Sequence, residues 1–179
     1  MTQAAGPDTA EWQRRWTIDA GAVILEPVTR SLAQAALDGG PGPREFEDGA
    51  RHDRIRYAMG FAIRDIDSGA AAILPTVWVV VRRADGRIIG DIGTHGPPGS
   101  AGCVEIGYSL APSARGQGTG TSAVAALVGC LSAVPGIRRI TAVTGADNIP
   151  SRRLLERLGF RVDGSLPDTG EVRYGLSVS

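Results

Sequence analysis

The sequence predicts a mixed α/β fold, α+β in kind, organised as one domain, and three observations carry that expectation. At 179 residues the chain can bury a substantial core without disulfides. Period-two and helical apolar patterns occur along it in balance. One stretch shows both patterns joined: Val104, Ile106, Tyr108 and Leu110 alternate with Glu105, Gly107 and Ser109 as a half-buried strand closed by Pro112. After a glycine-rich turn, Val124, Leu127, Val128, Leu131 and Val134 recur at helical spacing until Pro135-Gly136 stops them.

The remaining elements follow in order. Residues 1–17 mix Gly, Pro and charges with Trp12 and Trp16, and read as a loose arm carrying exposed tryptophans. A strand is expected over 22–26, ended by Pro27, and Thr29 begins a helix running through Ala36. Gly39-Gly40-Pro41-Gly42-Pro43 breaks the chain. From Arg44 to about Ile66 a charge-rich pattern predicts one or two helices. Residues 77–81 and 87–93 form a hairpin around Ala84-Asp85-Gly86, because Asp-Gly supplies the positive backbone angles of a tight turn. A helix is expected over 150–158, and further strands over 139–144, 160–162 and 172–178. There is no internal repeat.

Composition excludes several functions. Nineteen basic residues balance nineteen acidic ones, which argues against a partner that is nucleic acid or an anionic membrane. Cys103 and Cys130 stand apart and belong to no metal-spacing cluster, as expected of reduced thiols in a cytoplasmic protein. The N-terminus lacks a charged-then-apolar leader pattern, and no apolar run reaches spanning length, so the expected location is cytoplasmic.

The turn Arg115-Gly116-Gln117-Gly118-Thr119-Gly120 lies between strand and helix. Glycines there let unpaired amides at a helix start approach a phosphate, where the helix dipole also favours an anion. The glycine spacing does not fit a dinucleotide fold, and no acidic residue follows at the required distance. The chain has no lysine, which removes the defining residue of a P-loop nucleotide hydrolase.

Arg115-x-x-Gly118-x-Gly120 resembles the acyl-CoA pyrophosphate motif of the GNAT N-acetyltransferase superfamily. Ahead of it, Glu105-Ile106-Gly107-Tyr108-Ser109-Leu110-Ala111-Pro112 resembles the fourth strand of that fold. Behind it, Asn148-Ile149-Pro150-Ser151 runs through Leu154, Leu155 and Leu158 into Gly159-Phe160, similar to the second conserved block. Together these cover about residues 86–165, and their joint order is more specific than any one of them. The branch most resembled includes the ribosomal-protein N-terminal alanine acetyltransferases. The resemblance implies a central mixed, mostly antiparallel twisted sheet, flanked by helices and splayed at its fourth strand. It further implies a single acetyltransferase domain over 18–179, with acceptor-side helices over about 28–66 and an acetyl-CoA-binding core over about 86–165.

The same resemblance implies acetyl-CoA as cosubstrate, with no metal. Strand residues Ile106, Tyr108 and Leu110 would meet the pantetheine and thioester. The turn residues Gln117, Gly118, Thr119, Gly120 and Thr121 would meet the pyrophosphate, with Arg115 on a phosphate. Asn148 would cap its helix and also touch pantetheine. Acetyl transfer from an activated thioester requires a neutral amine, a polarised carbonyl and, where needed, a proton for the departing thiolate. Glu105 is the candidate base, acting directly or through water, against the alternative of an ordinary solvent-side strand residue. Many superfamily members carry a tyrosine acid where this chain has Leu155. Its work then falls to Ser151, the candidate acid, to water, to Tyr108 or Tyr174, or to nothing, since a thiol of pKa near 8.5 leaves readily as thiolate.

The expected activity is transfer to a primary amine by direct attack in a ternary complex. The acceptor is either a protein or peptide α-amine or a small-molecule amine. Glu45, Glu47, Asp48 and Asp53 could form an acidic funnel for a polycation, but arginines interleave with them. The competing reading is a non-catalytic acyl-CoA-sensing domain. His52 and His95 read as surface and loop histidines that make no metal site. Arg152 and Arg153 read as solvated. The expected partners are acetyl-CoA and the amine acceptor, with a homodimer left open.

Overall fold

The computed structural model describes residues 9–40, 42–48, 50, 53–166 and 168–178. Helices α1 (Ala10–Trp16), α2 (Arg30–Asp38), α3 (Asp53–Ser68), α4 (Thr119–Ser132) and α5 (Ile149–Arg157) surround an eight-stranded sheet. The strands are β1 (Ile18–Ala20), β2 (Val23–Pro27), β3 (Val77–Arg82), β4 (Ile88–Thr94), β5 (Cys103–Leu110), β6 (Arg139–Gly145), β7 (Arg161–Leu166) and β8 (Glu171–Ser177). They lie in the order β1-β2-β3-β4-β5-β6-β8-β7. Every neighbouring pair is antiparallel except β5 and β6, which are joined through α4 and run parallel.

Strand alternation divides the core into two layers. On β3, Trp78 and Val80 join Val104, Ile106, Leu127, Leu131, Ile140, Leu155 and Phe160 on the side of α4 and α5. Val77, Val79 and Val81 point the other way, onto Leu32, Ala36, Ile55 and Met59 of α2 and α3. Cross-strand partners share a face, so the β4–β5 pairs Asp91–Ser109 and Gly93–Gly107 both lie on the α3 side.

The feature that positions the site is a parting of two strands. Pairing of β5 with β6 runs from Cys103 opposite Arg139 to Ile106 opposite Ala142, and from Gly107 onward the strands diverge. The expected splay is therefore present. It falls on the fifth strand in chain order, because the short β1 precedes the predicted first strand.

Two expectations need correction. Trp12 and Trp16 are buried, not exposed: Trp12 is 2% accessible and its indole Nε1 donates to the Ala71 carbonyl at 2.9 Å. The Trp16 carbonyl accepts from Trp78 Nε1 at 2.7 Å. Apolar burial and the indole hydrogen bonds of Trp12 and Trp78 bind this segment to the body, with Thr9 capping α1 through the Trp12 amide. Helix over 44–48 is also overturned. The amide of Glu47 donates to the Ile88 carbonyl and the Ile88 amide to the Glu45 carbonyl, each at 2.8 Å, so the backbone bridges to β4 instead of coiling. Helix is present over Asp53–Ser68.

Candidate active site

The glycine turn has the backbone geometry of an anion cradle. Gly116 and Gly118 adopt left-handed φ values of 74° and 79°, and a Cβ at either would meet nothing within 4 Å. Gly118 is the N-cap of α4 and supplies no side-chain hydrogen bond, and no acidic residue occupies the first turn. The amides at this helix start therefore face outward without a competing carboxylate. Gly120 has a second role, since a Cβ there would come within 3.1 Å of Leu154 Cδ1. Its smallness also allows α4 to approach α5. Arg115 turns back on its own loop, Nε donating to the Leu110 carbonyl at 2.9 Å, and Gln117 Nε2 donates to the Ser113 carbonyl at 2.9 Å.

Across the splay, α5 presents Asn148 and Ser151. Asn148 caps the helix, its Oδ1 accepting from the Ser151 amide at 3.3 Å. The Ser151 hydroxyl lies 2.8 Å from the Tyr108 hydroxyl, which reaches over from β5. Burial pushes the Tyr108 phenol above its ordinary pKa, against a smaller opposing effect of the Ser151 hydrogen bond. Leu155 is fully buried in the core. Tyr174 is held between Arg152 Nε, which donates to its hydroxyl, and Glu156 Oε1, which accepts from it, both at 3.0 Å. Of the two candidate tyrosines, Tyr108 is the one joined to Ser151. Arg152 also donates to the Ala146 carbonyl, so this half-exposed guanidinium serves as a structural tie.

On the opposite face of β4 and β5, against α3, lies a cavity of about 460 Å³, a size suited to a small-molecule or residue-sized ligand. Tyr57, Phe61, Val77 and Ile92 give it an apolar wall. Gly93 and Gly107, directly paired, also line it. Thr94 contributes a buried hydroxyl without a hydrogen-bond partner among the described residues. Of the suggested acidic funnel, Glu45, Glu47 and Asp48 do not line this cavity. Glu47 is tied to Arg82, Arg87 and Ser113, and Glu45 to Arg87. The Arg82 and Ser113 hydrogen bonds hold the Glu47 carboxyl below its usual range.

Glu105 sits beside this cavity, and its partner is a residue that sequence reasoning set aside. His95 lines the cavity, and its Nδ1 lies 2.9 Å from Glu105 Oε1. The two residues are cross-strand neighbours, the His95 amide donating to the Glu105 carbonyl at 2.8 Å. The His95 hydrogen bond holds the Glu105 carboxyl below its ordinary pKa, outweighing the opposing effect of burial, with the charges of His95 and Arg173 assisting. Extending the strand pairing Thr94–Ile106 by one residue gives the His95–Glu105 pair, so hairpin register was the signal that could have found it. His52 and the acidic funnel candidate Asp53 are not informative: His52 lies outside the described residues, and the side chain of Asp53 is likewise outside them. Among the described residues no group of three or more His, Cys, Asp or Glu side chains is arranged to hold a metal, and no helix is long and apolar enough to cross a membrane.

Known proteins share both the sequence pattern and this architecture. Over 83 residues the chain is 34% identical to the uncharacterized N-acetyltransferase YjdG of Bacillus subtilis (strain 168), which covers 46% of this chain and 49% of that protein. The chain thus matches about half the length of its curated relatives. Mycobacterium smegmatis RimJ in complex with CoA-disulfide superposes with a TM-score of 0.61 at 24% identity, over 89% of this chain and 84% of that one. Ribosomal-protein-S5-alanine acetyltransferase from Vibrio fischeri superposes with a TM-score of 0.65 at 16% identity, over 90% and 96%. Those likenesses establish the fold. The family model described as an acetyltransferase (GNAT) domain matches residues 14–161, and with that span the chain belongs to the GNAT acetyltransferase family.

Proposed function

We propose that this protein transfers an acetyl group from acetyl-CoA to a primary amine by direct attack within a ternary complex. One observation carries the reading: the parting of β5 from β6 lies between an uncapped helix start on one side and a ligand-sized cavity on the other. The thioester supplies an acetyl group already activated toward an amine. Gly118, Thr119, Gly120 and Thr121 offer backbone amides to its pyrophosphate, with Gln117 and Arg115 at the rim. The freed edge of β5, at Tyr108 and Leu110 just beyond the last paired residue Ile106, receives the pantetheine, which Asn148 meets from α5. The joined hydroxyls of Tyr108 and Ser151 donate toward the departing sulfur, and Glu105 stands on the side from which the amine loses its proton.

The acceptor favoured is the α-amine of a peptide or protein. An apolar cavity of this size accommodates a terminal residue, and its described wall lacks the row of carboxylates that a polyamine requires. The likeness to the ribosomal-protein-S5-alanine acetyltransferase structure points the same way. A panel of peptide α-amines, amino acids, polyamines and aminoglycosides, read by thioester consumption and product mass, tests the proposal. Peptide acetylation supports it. Turnover confined to small amines moves the acceptor class, and acetyl-CoA binding with no product on any amine leaves a sensing domain.

A further inference from the structure

On the α3 face of β4 and β5, three cross-strand pairs follow one another: Asp91 with Ser109, Gly93 with Gly107, and His95 with Glu105. The central pair has no side chains. A strand advances about 7 Å over two residues, so the glycine pair separates two polar pairs; a Cβ on Gly93 would run into the Thr76 carbonyl just before β3, whereas Gly107 leaves its backbone open on the cavity side. That backbone lines the cavity where β5 leaves β6. The imidazole leans over it. A Cβ built on Gly107 would stand only 2.7 Å from His95 Nε2, so the ring occupies the space that any other residue would fill.

We propose that His95, not Glu105, receives the proton of the acceptor amine, at Nε2, while Glu105 acts as a positioning residue that holds the Nδ1–H. The inference rests on the acyltransferase reading above and assigns a new residue within it. Nδ1 faces the carboxylate at 2.9 Å, which sets the tautomer: the proton lies on Nδ1 and the lone pair on Nε2. His95 lines the cavity where the amine must enter, whereas Glu105 stands behind the ring. A carboxylate held below its ordinary range by that same hydrogen bond is a weak base but a good partner for an imidazolium. In the step itself, the neutral amine's lone pair forms the N–C bond and the C–S bond breaks with its electron pair on sulfur. One N–H proton passes to Nε2 and on to solvent. Glu105 remains ionised throughout. Among the described residues, the charged and titratable groups that act on this pair or line the same cavity are Glu105 on β5, Arg173 on β8, Asp91 on β4, Tyr57 on α3 and Tyr108 on β5.

The chain has two histidines, so the His95 ring resonance is identified by its loss in His95→Gln. Its titration is followed by NMR in the wild type and in Glu105→Gln. In parallel, kcat/KM is measured against pH with two acceptors of different amine pKa, so that the enzyme's limb is the one that stays fixed between them. The expected wild-type acidic limb coincides with the His95 titration, a comparison that needs no variant. In Glu105→Gln, both move together to lower pH, because the anion stabilising the imidazolium is gone. In His95→Gln, kcat falls about a hundredfold or more and the limb disappears, with CoA affinity within twofold of the parent. Wild-type turnover in His95→Gln, or a limb that vanishes in Glu105→Gln while the His95 titration is unchanged, overturns the assignment. A wild-type protein silent on every amine overturns the acyltransferase reading instead.

Discussion

Tyr108 of β5 and Ser151 of α5 join hydroxyls at 2.8 Å across the gap where β5 and β6 part. Many family members carry a tyrosine at the position of Leu155, but in this chain that side chain is fully buried in the core. The phenol that meets Ser151 comes instead from β5. A tyrosine forced into position 155 would overpack the core at a cost of about 1–3 kcal/mol, so it cannot serve as a simple restoration of that group.

Removing either hydroxyl should slow transfer without weakening cofactor binding to match. Tyr108→Phe and Ser151→Ala are each expected to lower kcat about tenfold or more, and the double variant little further, because linked donors act as a unit. Burial holds the phenol above its ordinary value near 10, so the acid form persists and its contribution does not decline on the alkaline side until beyond pH 10. Single-turnover rates with CoA affinity measured separately provide the check. Parental rates in both single variants would mean that sulfur leaves unassisted.

The uncapped start of α4 yields a prediction about affinity. Position 118 opens to empty space at a left-handed φ of 79°, so Gly118→Ala adds about 1–2 kcal/mol of backbone strain and sets a methyl where a phosphate would approach. Affinity for CoA should fall about tenfold in calorimetry while the variant stays folded. Gly120→Val is a poorer probe, since its side chain must first displace Leu154. Equal CoA affinity in Gly118→Ala would remove this turn from the cofactor site.

The N-terminal helix should be a large contributor to stability. Trp12 is buried and hydrogen-bonded to the Ala71 carbonyl, and replacing it with alanine forfeits both, at an expected cost of about 3–5 kcal/mol. Trp12→Phe retains much of the apolar area but leaves the buried carbonyl without its donor, for about 1–3 kcal/mol. Denaturant unfolding of the two variants should rank them in that order. An alanine variant as stable as the parent would make the segment the loose arm that its composition suggested.

These cases also mark what can be read from one sequence. The strand around Ile106 and the helix after Gly118 were legible because each carries its own periodicity and its own stop signals. Asn148 was legible as a cap because capping is local to four residues. Trp12 was not, since its burial depends on Ala71, fifty-nine residues away, and nothing local distinguishes a tryptophan that will be covered. The pairing of Glu47 with Arg82 and Arg87 is likewise a product of tertiary register, which turned a charge-rich stretch from expected helix into a bridge along β4. His95 lay between these limits. Its loop position was plain, while its partner Glu105 required knowing which residue of the hairpin faces which.

Gly107 offers a way to disturb that pair without touching either member. A Cβ at this position would stand 2.7 Å from His95 Nε2 and 3.2 Å from Cε1, so Gly107→Ala must push the ring off the backbone while Glu105 and the cofactor turn remain intact. Strand backbone tolerates alanine, and Gly107 does not need a positive φ, so folding should survive. If the imidazole must overhang the backbone to meet the amine, kcat should drop about tenfold to a hundredfold, since a 1 Å misplacement of a reacting group can cost that much. CoA affinity should hold, and the His95 resonance should shift as its contact with Glu105 loosens. A displaced ring with unchanged kcat would show that the overhanging position is incidental to transfer.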